Sequence, residues 1–290
     1  GAIGVHFSAS LIHIVELPKR DAAQMDKIIA AEAKPFIPVP MDTIILNWFM
    51  LSDQQPIETS LEALEHKPEE VIEKEKVMLI ATEKEVVNAY GQVAQTEELV
   101  VDFLEVEFFS VARSCIDIAK GPALLVDLGA STTKLYVMNG HGIIVGTHSI
   151  PFGQEAITDA IMKSLDWNFE KSEQAKRAQG YVVHAEHTAH QQSEIGKAID
   201  STMRKIYDDA NRYILDTKKA GVDVQKIVLT GGGACMRGIV EEAHKHMKYE
   251  VVLAEPFSHT RGPIILEDVL KDVGPKFAVA VGLALRALHS

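Results

Sequence analysis

The sequence predicts an α/β protein in which a small α+β unit, about residues 11–106, precedes a larger α/β part. Segments rich in β-branched residues alternate with segments whose apolar residues recur at helical spacing. The 290 residues are enough for one large or two ordinary domains, and 47% hydrophobic with 24% charged residues is typical of a folded globular protein. A net charge of −12, with no stripe of Lys and Arg, argues against a general nucleic-acid binder.

Neither a membrane span nor a disulfide framework is expected. The longest largely apolar runs, at 123–128 and 277–285, are shorter than the roughly 20 residues that cross a bilayer. Cys115 and Cys235 stand among small or apolar residues and are interpreted as reduced core positions of a cytosolic protein. The chain opens within an apolar strand pattern, which we interpret as a processed or truncated N-terminus.

The first part alternates strands and helices. Strands are predicted at residues 11–17, 43–51, 77–82 and 99–106, and helices at 21–33, with Asp21 as N-cap, and at 83–96. Residues 34–40 hold three prolines and predict an extended connector. The acidic stretch 52–76 predicts an exposed hairpin tip or a short solvated helix.

The second part begins with an apolar helix at 108–119. Strands at 124–128, 134–139 and 143–150 follow, and Asn139-Gly140 predicts a two-residue hairpin. The remaining segments predict helices at 154–165, 171–179, 194–219, 236–247 and 275–289, and strands at 226–230 and 250–253.

The first motif with chemical content is Asp127-Leu-Gly129-Ala130-Ser131-Thr132, between two predicted strands. An Asp at a strand end can hold a metal-bound water, and Gly129 permits a turn tight enough for backbone amides and hydroxyls to face an anion. An ordinary hairpin with polar turn residues explains the motif equally well.

The second motif is Gly231-Gly232-Gly233-Ala234, between a strand and a helix. Consecutive glycines cost backbone entropy, so they usually mark a place where something lies against the main chain. A following helix N-terminus would favour a phosphate or ribose there. The alternative is a tight strand-to-helix turn. We expect Asp127 and the glycines to lie on facing walls of one cleft.

Together with the small-residue helix at 277–285, these motifs resemble the second phosphate motif, adenosine motif and second interdomain helix of the actin-like ATPase superfamily. Leu17-Pro18, the 32–40 segment, and Ile45-Leu-Asn-Trp48 resemble the inserted subdomain of the PilM family of type IV pilus assembly proteins. The resemblance implies two α/β lobes with an inserted small α+β subdomain. It implies these parts: 1–18 remnant of the first lobe, 19–104 inserted subdomain, 105–122 first interdomain helix, 123–274 second lobe, and 275–290 C-terminal interdomain helix.

The resemblance also implies roles for single residues. Asp127 would hold Mg²⁺ through water, Gly129, Ala130, Ser131 and Thr132 would face the ATP phosphates, and Gly231, Gly232, Gly233 and Ala234 would line the adenosine. Glu173 and Lys176 would flank the ribose and base, or else form a solvated i,i+3 ion pair. Glu107 would orient the attacking water, although Phe108 replaces the proline that usually follows it.

The family's first Asp-x-Gly-Ser/Thr-Ser/Thr hairpin has no counterpart in the sequence. Aligning residues 4–10 with it would put His6 at the Asp position, and these residues match better the strand that leads into the inserted subdomain. We therefore expect the N-terminal part of the first lobe to be missing. We also expect weak nucleotide binding at most and no meaningful ATP hydrolysis.

The function implied is that of an ATP-binding cytoplasmic component of the type IV pilus inner-membrane platform, recruited to the membrane by the cytoplasmic tail of a PilN-like partner. Other pilus platform proteins are further expected partners. The proline-rich 35–40 segment and the Trp48-Phe49 strand end would receive the partner's peptide. The alternatives are a pseudo-ATPase scaffold and an FtsA-like division protein. His184, His187 and His190 are interpreted as a solvated loop or helix face, because the segment is polar and has no cysteine nearby.

Overall fold

A computed structural model of the chain describes residues 1–18, 22–51, 74–119 and 121–288. The chain forms two compact units, Gly1–Glu107 and Phe108–Ser290. Asp21, the expected N-cap, and residues 52–73 of the expected acidic tip lie outside the described residues. None of the helices in the described ranges combines the length and the apolar content that a membrane crossing requires.

The first unit contains five strands and two helices among its described residues. They are β1 (Ala2–Val5), β2 (Ser10–Pro18), α1 (Ala22–Ala33), β3 (Ile44–Met50), β4 (Lys74–Glu83), α2 (Lys84–Thr96) and β5 (Phe103–Val106). β1 pairs in parallel with β5, while β2, β4 and β3 form an antiparallel sheet in that order. Helix α1 buries Met25 and Ile29 against Val15 and Leu79 of this sheet. The predicted elements are confirmed to within a few residues, except that β5 is shorter.

The proline-rich connector is not extended throughout, as the sequence had suggested. Residues Lys34–Phe36 and Met41–Thr43 each form a 3₁₀ turn. Pro35 lies in the first turn, where its missing N–H costs no hydrogen bond. Ile37 follows and is buried in the core beneath α1.

The second unit is built on a five-stranded sheet. Its elements are α3 (Glu107–Ala119), β6 (Ala123–Leu128), β7 (Thr133–Met138), β8 (Ile144–Ile150), α4 (Gln154–Leu165), α5 (Phe169–Gln179), α6 (Ala189–Lys219), β9 (Lys226–Thr230), α7 (Ile239–His246), β10 (Glu250–Leu253), α8 (Glu267–Val273) and α9 (Ala278–Leu288). The strand order is β10-β9-β6-β7-β8, with β10, β9 and β6 parallel and β6, β7 and β8 antiparallel. Helices α4 and α6 cover one face, where their apolar residues join a buried core with β6 and β7.

The Asn139-Gly140 hairpin is longer than the two-residue turn predicted from the sequence. The Asn139 amide hydrogen-bonds to the Ile143 carbonyl, and the Asn139 side chain accepts from the backbone amides of His141 and Ile143. Gly142, with φ of +78°, is the residue that needs the left-handed conformation. The Asn139 side chain stabilises the wider loop because it accepts hydrogen bonds from two backbone amides of that loop.

Helices α3 and α9 touch through a glycine. A Cβ at Gly282 would collide with the Ser110 carbonyl oxygen, so only glycine permits this approach. The Gly282 carbonyl also accepts a 2.9 Å hydrogen bond from Arg113 Nη1. The close backbone contact therefore fixes how these two helices pack within the second unit.

We expect Gly282→Ala to lower the free energy of unfolding by about 1–3 kcal/mol, because the added methyl must push the two backbones apart. Urea denaturation followed by circular dichroism measures it. Gly196→Ala is the matched control, because a Cβ there meets nothing closer than Gln179 Nε2 at 4.0 Å in the middle of α6. That variant should be stabilised by up to about 1 kcal/mol. Equal stabilisation of both variants would contradict the tight contact.

Candidate functional site

The two motifs come together because β6 and β9 are hydrogen-bonded parallel neighbours. Asp127 pairs in register with Thr230, so the strands end side by side at one edge of the sheet. Ligands of open α/β sheets bind at the carboxyl ends of parallel strands. The motifs are thus adjacent, and the expectation that Asp127 and the glycines lie on facing walls is wrong in this respect.

The loop after β6 is a tight turn that α4 holds in place. A Cβ at Gly129 would lie 2.6 Å from the Thr132 carbonyl oxygen, which explains the glycine. The first amides of α4, from Gln154 and Glu155, donate to the carbonyl oxygens of Gly129 and Ala130 at 3.0 and 2.9 Å. Helix N-terminal amides lack intrahelical partners, so the loop satisfies them.

The hydroxyl expected to face a phosphate is engaged elsewhere. Ser131 Oγ donates to Glu155 Oε2 at 2.9 Å. Ser131 and Ala130 are exposed. A phosphate at this loop would therefore compete with the Glu155 carboxylate for the hydroxyl.

Close contacts within the protein explain the first and third of the three glycines, but not the second. Gly231 has a φ of +81°, and a Cβ there would collide with Asp127 Oδ1. A Cβ at Gly233 would lie 2.5 Å from Gln154 Nε2. At Gly232 no described atom lies within 4 Å of a built Cβ. Internal packing thus requires the outer two glycines, and only Gly232 leaves backbone open to a ligand.

No α-helix N-terminus directly follows the glycines, contrary to the sequence prediction. Residues Gly232–Cys235 form a 3₁₀ turn, and α7 begins only at Ile239. Ala234, within this turn, is buried. The site therefore offers turn amides in place of a helix dipole.

Glu173 and Lys176 form a buried ion pair that bridges α4 and α5. Lys176 Nζ lies 2.6 Å from Glu173 Oε2, and donates to the Gln154 carbonyl and Thr158 Oγ1 at 3.0 and 2.9 Å. The i,i+3 ion pair expected as an alternative is therefore present, but it is not solvated, because the Lys176 side chain is only 6% exposed. Burial lowers the pKa of the Lys176 ammonium despite this pair.

The Glu173 carboxylate is held in its charged form. Burial raises its pKa, but hydrogen bonds from Lys176, Thr158 and Arg177 outweigh burial and hold the pKa at about 2. A carboxylate that accepts several charged hydrogen bonds stays ionised well below neutral pH. The pair is therefore a fixed feature of the site near neutral pH.

These groups line one cavity of about 350 Å³ in the second unit. Its lining includes Leu128, Gly129, Ala130, Gln154, Glu173, Lys176, Arg177, Gly232, Gly233, Cys235, Met236 and Lys276. Among these, Lys176, Arg177 and Lys276 are cationic and Glu173 is anionic, which suits an anion. The sequence reading had missed Gln154, Arg177 and Lys276, since single Gln, Arg and Lys residues give no motif.

Cys235 is a cavity residue and not the core position expected. It is half-buried and lines the cavity. Cys115, in contrast, is buried, and burial raises the pKa of its thiol to about 12. Both are free thiols, as the sequence predicted.

Asp127 does not fit a water-bridged Mg²⁺ site. Lys134 Nζ lies 3.7 Å from Asp127 Oδ2, and both side chains are nearly buried. The other carboxylate oxygen lies against Gly231. A divalent cation on this carboxylate would lie beside a fixed ammonium, which repels it.

Glu107 belongs to the first unit, where its side chain has a structural contact. Glu107 Oε1 accepts a 2.7 Å hydrogen bond from the Phe7 amide and lies 3.9 Å from His6 Nε2. Its role in orienting a water stays a prediction. Residues 4–10 do not form a first phosphate hairpin, because β1 pairs with β5 and β2 with β4, in different sheets.

The histidines at 184, 187 and 190 do not gather metal ligands. His184 and His187 lie with ring centroids 4.9 Å apart, and His187 Nδ1 pairs with Gln179 Oε1 at 3.2 Å. Within the described ranges, a three-residue group with metal-ligand spacing occurs at Asp200, Glu242 and His246. Arg204, Lys245 and His246 already pair with its two carboxylates, which makes it an ion-pair network.

Comparisons with known proteins agree with this architecture. A family model described as type IV pilus assembly protein PilM matches residues 1–288. The solved structure of a PilM-PilN type IV pilus biogenesis complex is similar with a TM-score of 0.78 and 21% identity, covering 99% of this chain and 80% of that one. No curated relative matches the sequence.

Two further solved structures share the fold at lower similarity. The ethanolamine utilization protein EutJ from Carboxydothermus hydrogenoformans gives a TM-score of 0.52 at 21% identity, over 70% of this chain and 62% of that one. MreB5 of Spiroplasma citri bound to AMPPNP gives 0.54 at 19% identity, over 72% and 66%. The predicted α/β fold of the actin-like ATPase class is therefore confirmed.

We expect Lys176→Met to raise the pKa of Glu173 from about 2 towards its ordinary value, because the hydrogen bond and the charge of Lys176 are lost. A carboxyl-detected NMR titration measures it, with the signal assigned from Glu173→Gln. The stabilisation from the pair is present above the ordinary Glu pKa of 4.5 and is lost as the pH falls towards 2.

Arg177→Met is the matched control, because the Arg177 side chain is 77% exposed and its ion pair is weak. It should change the pKa of Glu173 less than Lys176→Met does. An unchanged pKa in Lys176→Met would show that Lys176 does not hold the carboxylate in its charged form.

Proposed function

The chain belongs to the family of type IV pilus assembly proteins PilM, and we propose that it is the nucleotide-binding, actin-like component of the pilus inner-membrane assembly platform. The observation that carries the nucleotide part is one cavity in which both glycine motifs and three cationic side chains meet. Its volume, about 350 Å³, falls in the range of small-molecule sites.

The ligand we propose is ATP or ADP. The open backbone at Gly232 allows a flat base or a ribose to approach the main chain. Lys276 lines the cavity, is exposed and lies outside the Glu173–Lys176 pair, so it provides charge for a phosphate. A neighbour of the same fold, MreB5, was solved with AMPPNP, which supports this ligand class.

The second candidate is a scaffold that binds nucleotide without hydrolysis. Ser131 is engaged by Glu155, and residues 4–10 lack the Asp-x-Gly pattern of a first phosphate hairpin. Phosphoryl transfer depends on positioning and charge around the γ-phosphate. The binding free energy of the nucleotide would then stabilise one conformation of the protein without any hydrolysis.

For the partner, we propose the cytoplasmic tail of a PilN-like membrane protein, which would hold this chain at the inner membrane from the cytoplasmic side. The similar PilM-PilN complex supports a partner of this kind. In the first unit, Phe36 and Val39 of the proline-rich connector are 41% and 40% exposed, and Phe49 is 46% exposed. Trp48 instead packs against the core under α1, so Phe49 is the better contact of the two.

We expect Gly232→Val to weaken ATP binding by about tenfold or more, because its side chain enters the cavity where the ligand would lie. Isothermal titration calorimetry measures the dissociation constant. Gly140→Val, in a loop of the same unit where a Cβ meets only Pro122 at 3.7 Å, should leave binding unchanged. No ATP binding by the unmodified protein would refute the nucleotide proposal.

We expect the double change Phe36→Asp and Val39→Asp to weaken binding of a PilN-like tail peptide by about tenfold or more, because charge replaces exposed apolar contacts. Fluorescence anisotropy of a labelled peptide measures it. Val93→Asp on α2, where Val93 is 61% exposed in the same unit, should have no effect. Undiminished binding after deletion of residues 19–104 would place the peptide elsewhere.

A further inference from the structure

Lys134 and Asp127 form a buried pair of opposite charge at the base of the first motif. They are directly opposite partners in the antiparallel pair β6–β7. The ammonium lies 3.7 Å from Asp127 Oδ2, and the two side chains are 6% and 11% exposed. Directly opposite residues of neighbouring strands share a sheet face, so the strand register itself produces this pairing.

The second oxygen of the carboxylate is also enclosed. Asp127 Oδ1 lies so close to Gly231 that any Cβ there would collide with it. The Gly231 amide donates to the Pro275 carbonyl at 2.9 Å, which anchors this backbone. The carboxylate is therefore held between the strands on either side of β6.

This arrangement leaves Asp127 poorly suited to a hydrated divalent ion. Mg²⁺ retains several waters in a near-octahedral shell and needs space around its carboxylate ligand. Lys134 and Asp127 together have no net charge, and a buried ammonium repels a cation with little screening by salt. Separating the pair would take each buried charge away from its opposite charge, so the pair should persist when a ligand binds.

We propose that Lys134 takes the place of Mg²⁺ as the counter-charge of Asp127, so that this chain binds ATP equally well with and without Mg²⁺. Lys134 is then a residue that determines metal dependence, and the nucleotide's phosphate charge is left to the cations of the cavity. This role rests on the proposed nucleotide-binding function.

The test is the ratio of two ATP dissociation constants, one measured in EDTA and one in Mg²⁺, by isothermal titration calorimetry on the same variant. Loss of folded protein cancels in this ratio. The unmodified protein should give a ratio within about twofold of one, and Asp127→Asn should bind ATP no more tightly with Mg²⁺ than without it, because its side chain has no carboxylate for the cation. Lys134→Met should bind about fivefold or more tightly with Mg²⁺ than without it, because the ammonium that repels a cation from Asp127 is then absent. Lys134→Arg should behave like the unmodified protein.

Two outcomes overturn this role for Lys134. One is a protein that binds ATP about tenfold or more tightly with Mg²⁺ and loses that difference in Asp127→Asn. The other is a Lys134→Met variant that binds ATP with no Mg²⁺ dependence. If the unmodified protein binds ATP in neither condition, the proposed nucleotide function fails first, and the role of Lys134 fails with it. Failure of the Lys134 role alone is recognised by ATP binding that depends on Mg²⁺ or is indifferent to Lys134.

Discussion

The parallel pairing of β6 with β9 is the constraint on which the candidate site depends. It brings the end of one strand, Asp127, into register with Thr230 at the end of the other. Two backbones then turn away from the sheet at the same place, and a side chain at Gly231 would collide with the end of β6. The absence of a Cβ at Gly231 is what lets the Asp127 carboxylate lie there at all. The hydroxyl of Thr230 and the amide of Gly231 both donate to the Pro275 carbonyl, so the turn is fixed from behind as well.

Charged side chains near the cavity of the second unit also lie in close pairs. Glu173 with Lys176 in the middle of α5, and Asp127 with Lys134 at the joined ends of β6 and β7, are both pairs of opposite charge. Burying one charge without the other would be costly, so each pair behaves as a unit. What remains available to a ligand is therefore charge outside these pairs, and Lys276 at the mouth of the cavity is exposed. The site is better described by the charges it leaves accessible than by the charged residues near it.

Sequence reasoning succeeded where a local pattern determines the outcome. The helix at 154–165 and the strands at 226–230 and 250–253 were predicted to the residue, because apolar periodicity and flanking turn residues agreed there. It failed at Asn139-Gly140, since the side chain of Asn139 stabilises a wider loop. It also failed at the helix after the glycines, which starts at Ile239 because a 3₁₀ turn and Gly238 come first. The Lys134 pair depends on strand register, which no spacing in the sequence reveals.

The glycine motif resembles a nucleotide-binding motif, but most of it is explained by packing within the protein. Gly231 and Gly233 are required by the protein's own atoms, Asp127 Oδ1 and Gln154 Nε2, whether or not any ligand binds. A chain that had lost its nucleotide would keep them, because replacing either would disturb the packing of β6 against β9. Gly232 has no such internal reason, since the described atoms leave open space where its Cβ would be. Of the three glycines, the middle one is therefore the position where glycine indicates a ligand. The other two are glycine because the fold requires it.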